Sequence, residues 1–252
     1  MPKVKLAKGD VVAANKTRRW VFSSFCDTLD YVEKHKKGTL IGVLNGDIVE
    51  LDSKNRTTEI ISQNEDDIAS MAIEVYEPLF EMLDMAYVLA GTEAHVGKGA
   101  WLESNFASNF DNVVKNQETG KNLYMHLPLN LEGVKLDIMH HPKGGSGARP
   151  MNSQGVIDRL ASDTVFDYAN NREDPPDLVI RSHLHEYKDS KDAFATRAII
   201  TPAMCQSSSY VYRIGISRPA SVGCVLVYCE NGEYEVEPVL VKPPQRKWQV
   251  IK

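Results

Sequence analysis

Four short apolar runs in this chain each end in polar side chains competent to bind metal, and that recurrence constrains the fold more than any other feature. Leu40-Ile41-Gly42-Val43-Leu44 runs into Asn45-Gly46-Asp47, and Tyr87-Val88-Leu89-Ala90 into Gly91-Thr92-Glu93-Ala94-His95. Leu136-Asp137-Ile138-Met139 runs into His140-His141, and Leu178-Val179-Ile180-Arg181 into Ser182-His183-Leu184-His185. Short apolar runs bounded by turn formers read as buried strands. Helical spacings separate them: Val21, Phe25, Leu29 and Val32 lie within 18–37 and stop at Gly38. Ile68, Met71, Ala72, Val75, Leu79 and Met82 follow a Ser62-x-x-Glu65 capping spacing, with Pro78 as a candidate kink. Strands alternating with helices mark an α/β chain.

The same patterns predict a helix over 101–114 and two strands, 123–129 and 134–139, joined through Asn130-Leu131-Glu132-Gly133. A glycine-rich loop precedes a helix over 156–169 and a strand over 177–181. The last third reads as β: 198–201, 211–216, and 222–229 paired to 234–240 through Asn231-Gly232, a type I′ hairpin signal. The start, up to the first helix, reads as strandless. Residues 1–252 are expected to form one domain.

Composition narrows the functional classes. The 42% hydrophobic and 25% charged content fits a globular chain rather than a disordered one. No apolar run approaches the roughly 20 residues of a bilayer span, and Met1-Pro2-Lys3-Val4-Lys5 carries no secretory core, so the expectation is a cytoplasmic protein without membrane contact. Cys26, Cys205, Cys224 and Cys229 lack Cys-x-x-Cys spacing, which fits a reducing compartment. Residues 1–39 carry a net charge of +5 and the remainder −10, which argues against a general nucleic-acid coat.

Loops leaving the carboxyl ends of neighbouring strands in an α/β sheet converge on one crevice. Five of the seven histidines, His95, His140, His141, His183 and His185, would then share a site with Asp47. Imidazole and carboxylate without thiolate suit Zn²⁺, Mn²⁺ or Fe, and a carboxylate such as Asp47 can bridge two ions. A dinuclear hydrolytic centre follows from those residue types.

The order Gly46-Asp47-x-x-Glu50, Gly91-Thr92-x-x-His95, His140-His141 and Ser182-His183-x-His185 resembles the calcineurin-like metallophosphoesterase family, over residues 39 to about 229. The Gly-Thr-x-x-His form is similar to phage and prophage members. The resemblance implies a β-sandwich flanked by helices, in α-β-β-α layers, with two divalent metals in the complete site. It makes Asp47 the bridging carboxylate, places His140 (or His141) and His183 on the second metal and His185 on the first, and casts His95 as the group assisting the leaving oxygen. Thr92 stands where the family has an asparagine ligand, so Glu93 is the substitute ligand. The family's first motif, Asp-x-His, has no counterpart here: Gly9-Asp10 is followed by Val11-Val12, and no histidine precedes His35. Either an upstream strand and motif are missing, or the first metal site is degraded and a single metal remains.

The implied reaction is hydrolysis of a phosphoester, a nucleotide or nucleic acid among the options, by metal-activated water. Lys143 and Arg149, flanking Gly144-Gly145-Ser146-Gly147, are candidate phosphate-binding cations. The competing reading is a non-catalytic metal-binding or interaction module that keeps the fold. Amidohydrolase and metallo-β-lactamase patterns fit poorly, since Glu186-Tyr187 follows His185 where the latter needs Asp-His.

Overall fold

The computed structural model describes residues 3–51, 59–142, 153–213, 215, 219–244 and 248–251. A hairpin of β1 (Lys3–Lys5) and β2 (Val11–Ala13) leads into α1 (Lys16–His35). Then come β3 (Ile41–Asn45), α2 (Glu65–Met82), β4 (Met85–Leu89), α3 (Glu93–Val96) and α4 (Trp101–Ala107). The chain continues through β5 (Leu127–Leu131), β6 (Val134–Ile138), α5 (Ser153–Asn170), β7 (Leu178–Arg181), β8 (Lys188–Asp189) and β9 (Arg197–Ile200). It closes with α6 (Ser209–Arg213), β10 (Val222–Glu230) and β11 (Glu233–Val241).

Two parallel crossovers organise the molecule. β3 and β4 pair in parallel across α2, and β6 and β7 pair in parallel across α5. β6 and β7 belong to a five-stranded sheet of order β5-β6-β7-β9-β8, in which the outer pairs are antiparallel. Strand alternation then builds the layers. Leu44, Ala86 and Val88 pack with Ile68, Phe80, Leu102 and Phe106 of α2 and α4. The opposite faces of β3 and β4, with Val225, Val227 and Val236 of the β10–β11 hairpin, pack on Leu136, Ile138, Leu178, Ile180 and Ile199. Val179, Ala198 and Ile200, pointing the other way, pack on Ile157 and Leu160 of α5. The result is the mixed α/β arrangement expected, sheets face to face with helices outside.

Several local expectations change. The start is not strandless, because β1 and β2 pair ahead of α1. The α2 cap is Asn64, whose side chain accepts the amides of Asp66 and Asp67 at 2.8 and 3.1 Å, rather than Ser62. Ser62 instead donates to Asp67 Oδ2 at 2.6 Å. The helix starting at Trp101 stops at Ala107 instead of 114, because the segment around Val113 joins the edge of β4: Ala86 N donates to Asn112 O and Val114 N to Ala86 O, both at 2.9 Å. Tyr124 likewise bridges Leu89, so β5 begins at Leu127 instead of 123. The expected strand at 211–216 gives way to α6, whose first turn closes on the Ser208 carbonyl; Ile214 and Ile216 lie outside the described residues. The Asn231-Gly232 turn forms as expected, with φ of 51° and 83°.

On the α5 side of β6, Asp137 is buried with Arg181, whose guanidinium lies 2.7 Å from Asp137 Oδ1. Tyr168 donates to Oδ2 at 2.9 Å and His126 Nε2 sits 3.2 Å from the same oxygen. Burial works to raise the Asp137 value, but His126 and Arg181 outweigh it and bring it from 3.8 to about 2. A carboxyl lowered on folding contributes stability above its unfolded value, and that contribution disappears as pH falls through the folded one. Between about pH 4 and pH 2 the stability gap between wild type and Asp137→Asn should therefore shrink by about 2 kcal/mol, measured by urea unfolding across that range.

Candidate metal centre

All four strands that carry the singled-out motifs discharge into one region because each parallel pair ends on the same side. Asp47 follows β3, Thr92 follows β4, His140 and His141 follow β6, and His183 follows β7. The Asp47 carboxylate from one sheet meets His140 Nε2 from the other at 2.9 Å, and His183 Nδ1 lies 3.8 Å from Asp47 Oδ2. Ligating atoms of His140, His141 and His183 all fall within 4.8 Å of one another. The Thr92 hydroxyl sits among them, 3.1 Å from His141 Nε2, 3.2 Å from His183 Nδ1 and 3.3 Å from Asp47 Oδ2.

The backbone is bent to make this possible. Asp47, His183 and His185 adopt φ of 56°, 69° and 52°, a left-handed conformation uncommon in non-glycine residues. Two glycines permit the loops to touch. A Cβ on Gly91 would lie 2.2 Å from the Asp47 amide, and one on Gly46 2.5 Å from His140 Nδ1 and 2.7 Å from Gly91 Cα. Thr92 N donates to Asp47 Oδ1 at 2.6 Å across that contact.

The hydrogen-bonding arithmetic fits a cation. His140 Nδ1 donates to the Asn45 carbonyl at 2.6 Å, and Asn45 Nδ2 donates to Met139 O at 3.0 Å, so the ring is oriented from behind. Its Nε2 then faces the Asp47 carboxylate either as a second N–H, making an imidazolium, or as a lone pair sharing a cation with that carboxylate. Atoms bound to a tetrahedral zinc at about 2.0–2.2 Å stand roughly 3.3 Å apart, a spacing that lies between the 2.9 Å from Asp47 to His140 and the 3.8 Å from Asp47 to His183. Ligating histidines characteristically anchor their other nitrogen on a carbonyl or carboxylate, as His140 does.

Electrostatics run the same way. Burial disfavours the Asp47 anion, yet His140 and His183 overcome it and hold its carboxyl far below the usual range. Burial likewise works against the His140 cation, but Asp47 lifts its value above 6.5. His141 is lowered, first by burial and then by the charges of His140 and His183, which keeps its lone pair available.

The remaining expected residues occupy distinct places. His185 is lowered chiefly by burial, with Asp47 opposing, and its Nδ1 lies 3.3 Å from Cys205 Sγ. His95, on α3, has Nδ1 2.7 Å from Glu50 Oε2. Glu93 is exposed, and its Oε1 accepts the Gly99 amide at 3.2 Å. Lys143 and Arg149 lie outside the described residues. Two contributors had no role in the sequence reading. Glu50 was visible as the last position of Gly46-Asp47-x-x-Glu50. Glu103 shares a buried stripe with Leu102, Phe106 and Ala107, and an acid on such a stripe is the available signal.

No family model matches the chain, and no curated protein matches it in sequence. Among solved structures, it is similar to a Vps29 single mutant from Entamoeba histolytica at 11% identity, over 85% of this chain and 88% of that one, with a TM-score of 0.40. Wild-type Vps29 complexed with zinc from the same organism overlaps 80% of this chain and 99% of its own, at 13% identity and a TM-score of 0.39. A conserved Streptococcus pneumoniae protein described as a predicted phosphoesterase overlaps 79% and 88%, at 13% identity and a TM-score of 0.35. Overlaps at this level leave the chemistry of the chain to be argued from its own residues.

Because both loop glycines face backbone, Gly46→Ala and Gly91→Ala should each destabilise the protein by about 2 kcal/mol or more. Denaturant midpoints measure this, and a cost under about 0.5 kcal/mol at both positions would show that the loops do not approach as described.

Proposed function

We propose that this chain is a metal-dependent phosphoester hydrolase of the calcineurin-like metallophosphoesterase type, in the variant with Gly91-Thr92-x-x-His95. The observation that carries this reading is the meeting of Asp47 with His140, His141 and His183 at the carboxyl ends of β3, β6 and β7. Asp47, His140 and His183 would hold a divalent ion such as Zn²⁺, Mn²⁺ or Fe²⁺, with His141 at the exposed rim and His185 beside a second position. An ion bound there supplies an acidified water near neutral pH and offsets charge on the phosphoryl oxygens.

The chain's own groups account for the rest of the cycle. His95 donates Nδ1–H to Glu50, which fixes its orientation, leaving Nε2 as the nitrogen that would pass a proton to the departing alkoxide. Thr92 anchors Asp47 through both its amide and its hydroxyl. Lys143 and Arg149 would grip the non-bridging oxygens of a phosphomonoester or phosphodiester, including that of a nucleotide or nucleic acid.

The second reading, a metal-binding module without turnover, is favoured by one feature of the sequence: the absent Asp-x-His leaves Asp47 and His185 as the only motif residues for the first metal. Metal analysis of the purified protein together with turnover of an aryl phosphodiester in Mn²⁺ separates the two. Asp47→Ala should lose both metal and turnover, whereas His95→Ala should keep the metal and lose about 10²–10⁴ in kcat. Metal retained without turnover selects the module, and a wild type with neither stoichiometric metal nor turnover rejects both.

A further inference from the structure

Glu103 is the most deeply buried acid among the described residues, with no exposed surface, and it lies on α4 rather than in any of the motif loops. Its two oxygens go to two different loops. Oε1 accepts the Ile48 amide at 3.0 Å and Oε2 accepts the Gly91 amide at 2.7 Å. Ile48 immediately follows Asp47, and Gly91 immediately precedes Thr92. One carboxylate thus ties the residue after the central acid to the residue before its main backbone donor, and Asp47 Oδ1 closes the ring through Thr92 N at 2.6 Å. We propose that Glu103 is a positioning residue of the metal centre, a buried clamp that sets the separation of the β3 and β4 loops and so the place of the Asp47 carboxylate relative to His140. The inference rests on the metal reading of the site.

The physical need is evident from the loop itself. Asp47 is held at φ 56°, and a backbone in that region persists only where its surroundings over-determine it. Burial pushes the Glu103 carboxyl up to about 7, against the lowering effect of the Ile48 and Gly91 amides, and the Asp47 charge adds to the rise. A neutral side chain of the same shape would be easier to bury. What the two loop amides require is both oxygens as acceptors, a geometry that neither a glutamine nor an apolar residue reproduces.

Glu103→Gln tests this directly, because its amide group can accept from one loop N–H but turns a donor toward the other. In a chelator-competition titration with Zn²⁺, the dissociation constant should rise about 10- to 100-fold. In the metal-free protein, the Ile48 and Gly91 amides should lose hydrogen-exchange protection. Asp137→Asn, a buried acid on the far face of its sheet, should lower the melting temperature while leaving Zn²⁺ affinity within about twofold. If Glu103→Gln fails to fold, Glu103→Asp, charged but one methylene shorter, is read in the same titration and should also bind at least tenfold more weakly. A folded variant that melts lower yet binds Zn²⁺ like wild type overturns the inference alone. A wild type that binds no Zn²⁺ overturns the metal reading and this inference with it.

Discussion

The contact between the Asp47 carboxylate and the His140 imidazole spans two sheets, and the rest of the centre depends on it. Asp47 arrives from the sheet of β3 and β4, His140 from the five-stranded sheet, and what sets the distance between them is the core of Leu89, Ile138, Leu178 and Ile199 between the layers. Stacked sheets stand roughly 10 Å apart, a gap that an aspartate and a histidine can close from opposite loops. A slip of either strand by one residue would turn its apolar set outward and carry the motif residue with it. Packing and chemistry are therefore fixed by the same register.

The pair also bears on whether a cation fits there. With His140 Nδ1 committed to the Asn45 carbonyl, Nε2 can satisfy Asp47 only with a proton or through a shared ion. Because the His140 value is raised on folding, the stability it contributes is present below its unfolded value near 6.5 and lost as pH rises through the folded one. Above that range the buried Asp47 charge lacks its compensating proton, and on the proposed metal reading a divalent ion would restore the balance. Proton and metal would then compete for one position, so on that reading occupancy of the site follows the pH range in which the proton leaves.

Much of this was legible in the sequence because strand ends and ligands coincide. Val43, Leu89, Ile138 and Ile180 announce strands by local apolarity, and the residues just past them are the ones that meet. What escaped was set by long-range pairing. The stretch around Val113 has a helical pattern, but its backbone groups are used by Ala86, and Tyr124 is drawn to Leu89 rather than to its own hairpin. Val211 was read as strand because a short apolar run has no decisive period. Glu103 drew no reading from the sequence, since nothing local reveals that two loop amides, 55 and 12 residues away, end on its carboxylate.

The centre that results is uneven in a way that bears on its chemistry. Around Asp47 stand three imidazoles, a hydroxyl, a ring anchored from behind, glycines that let the loops touch, and an acid beneath them. On the side of His185, the neighbours are Cys205 and the His95–Glu50 pair, groups suited to holding a ring in place and moving a proton. A thiol pushed up to about 12 by burial is a poor source of thiolate for a metal, so Cys205 adds no anionic ligand on that side. On the proposed hydrolase reading, the two halves would divide the work of phosphoester cleavage, Asp47, His140 and His183 holding one ion that would activate water and offset charge on a phosphoryl oxygen, and His95 protonating the leaving group.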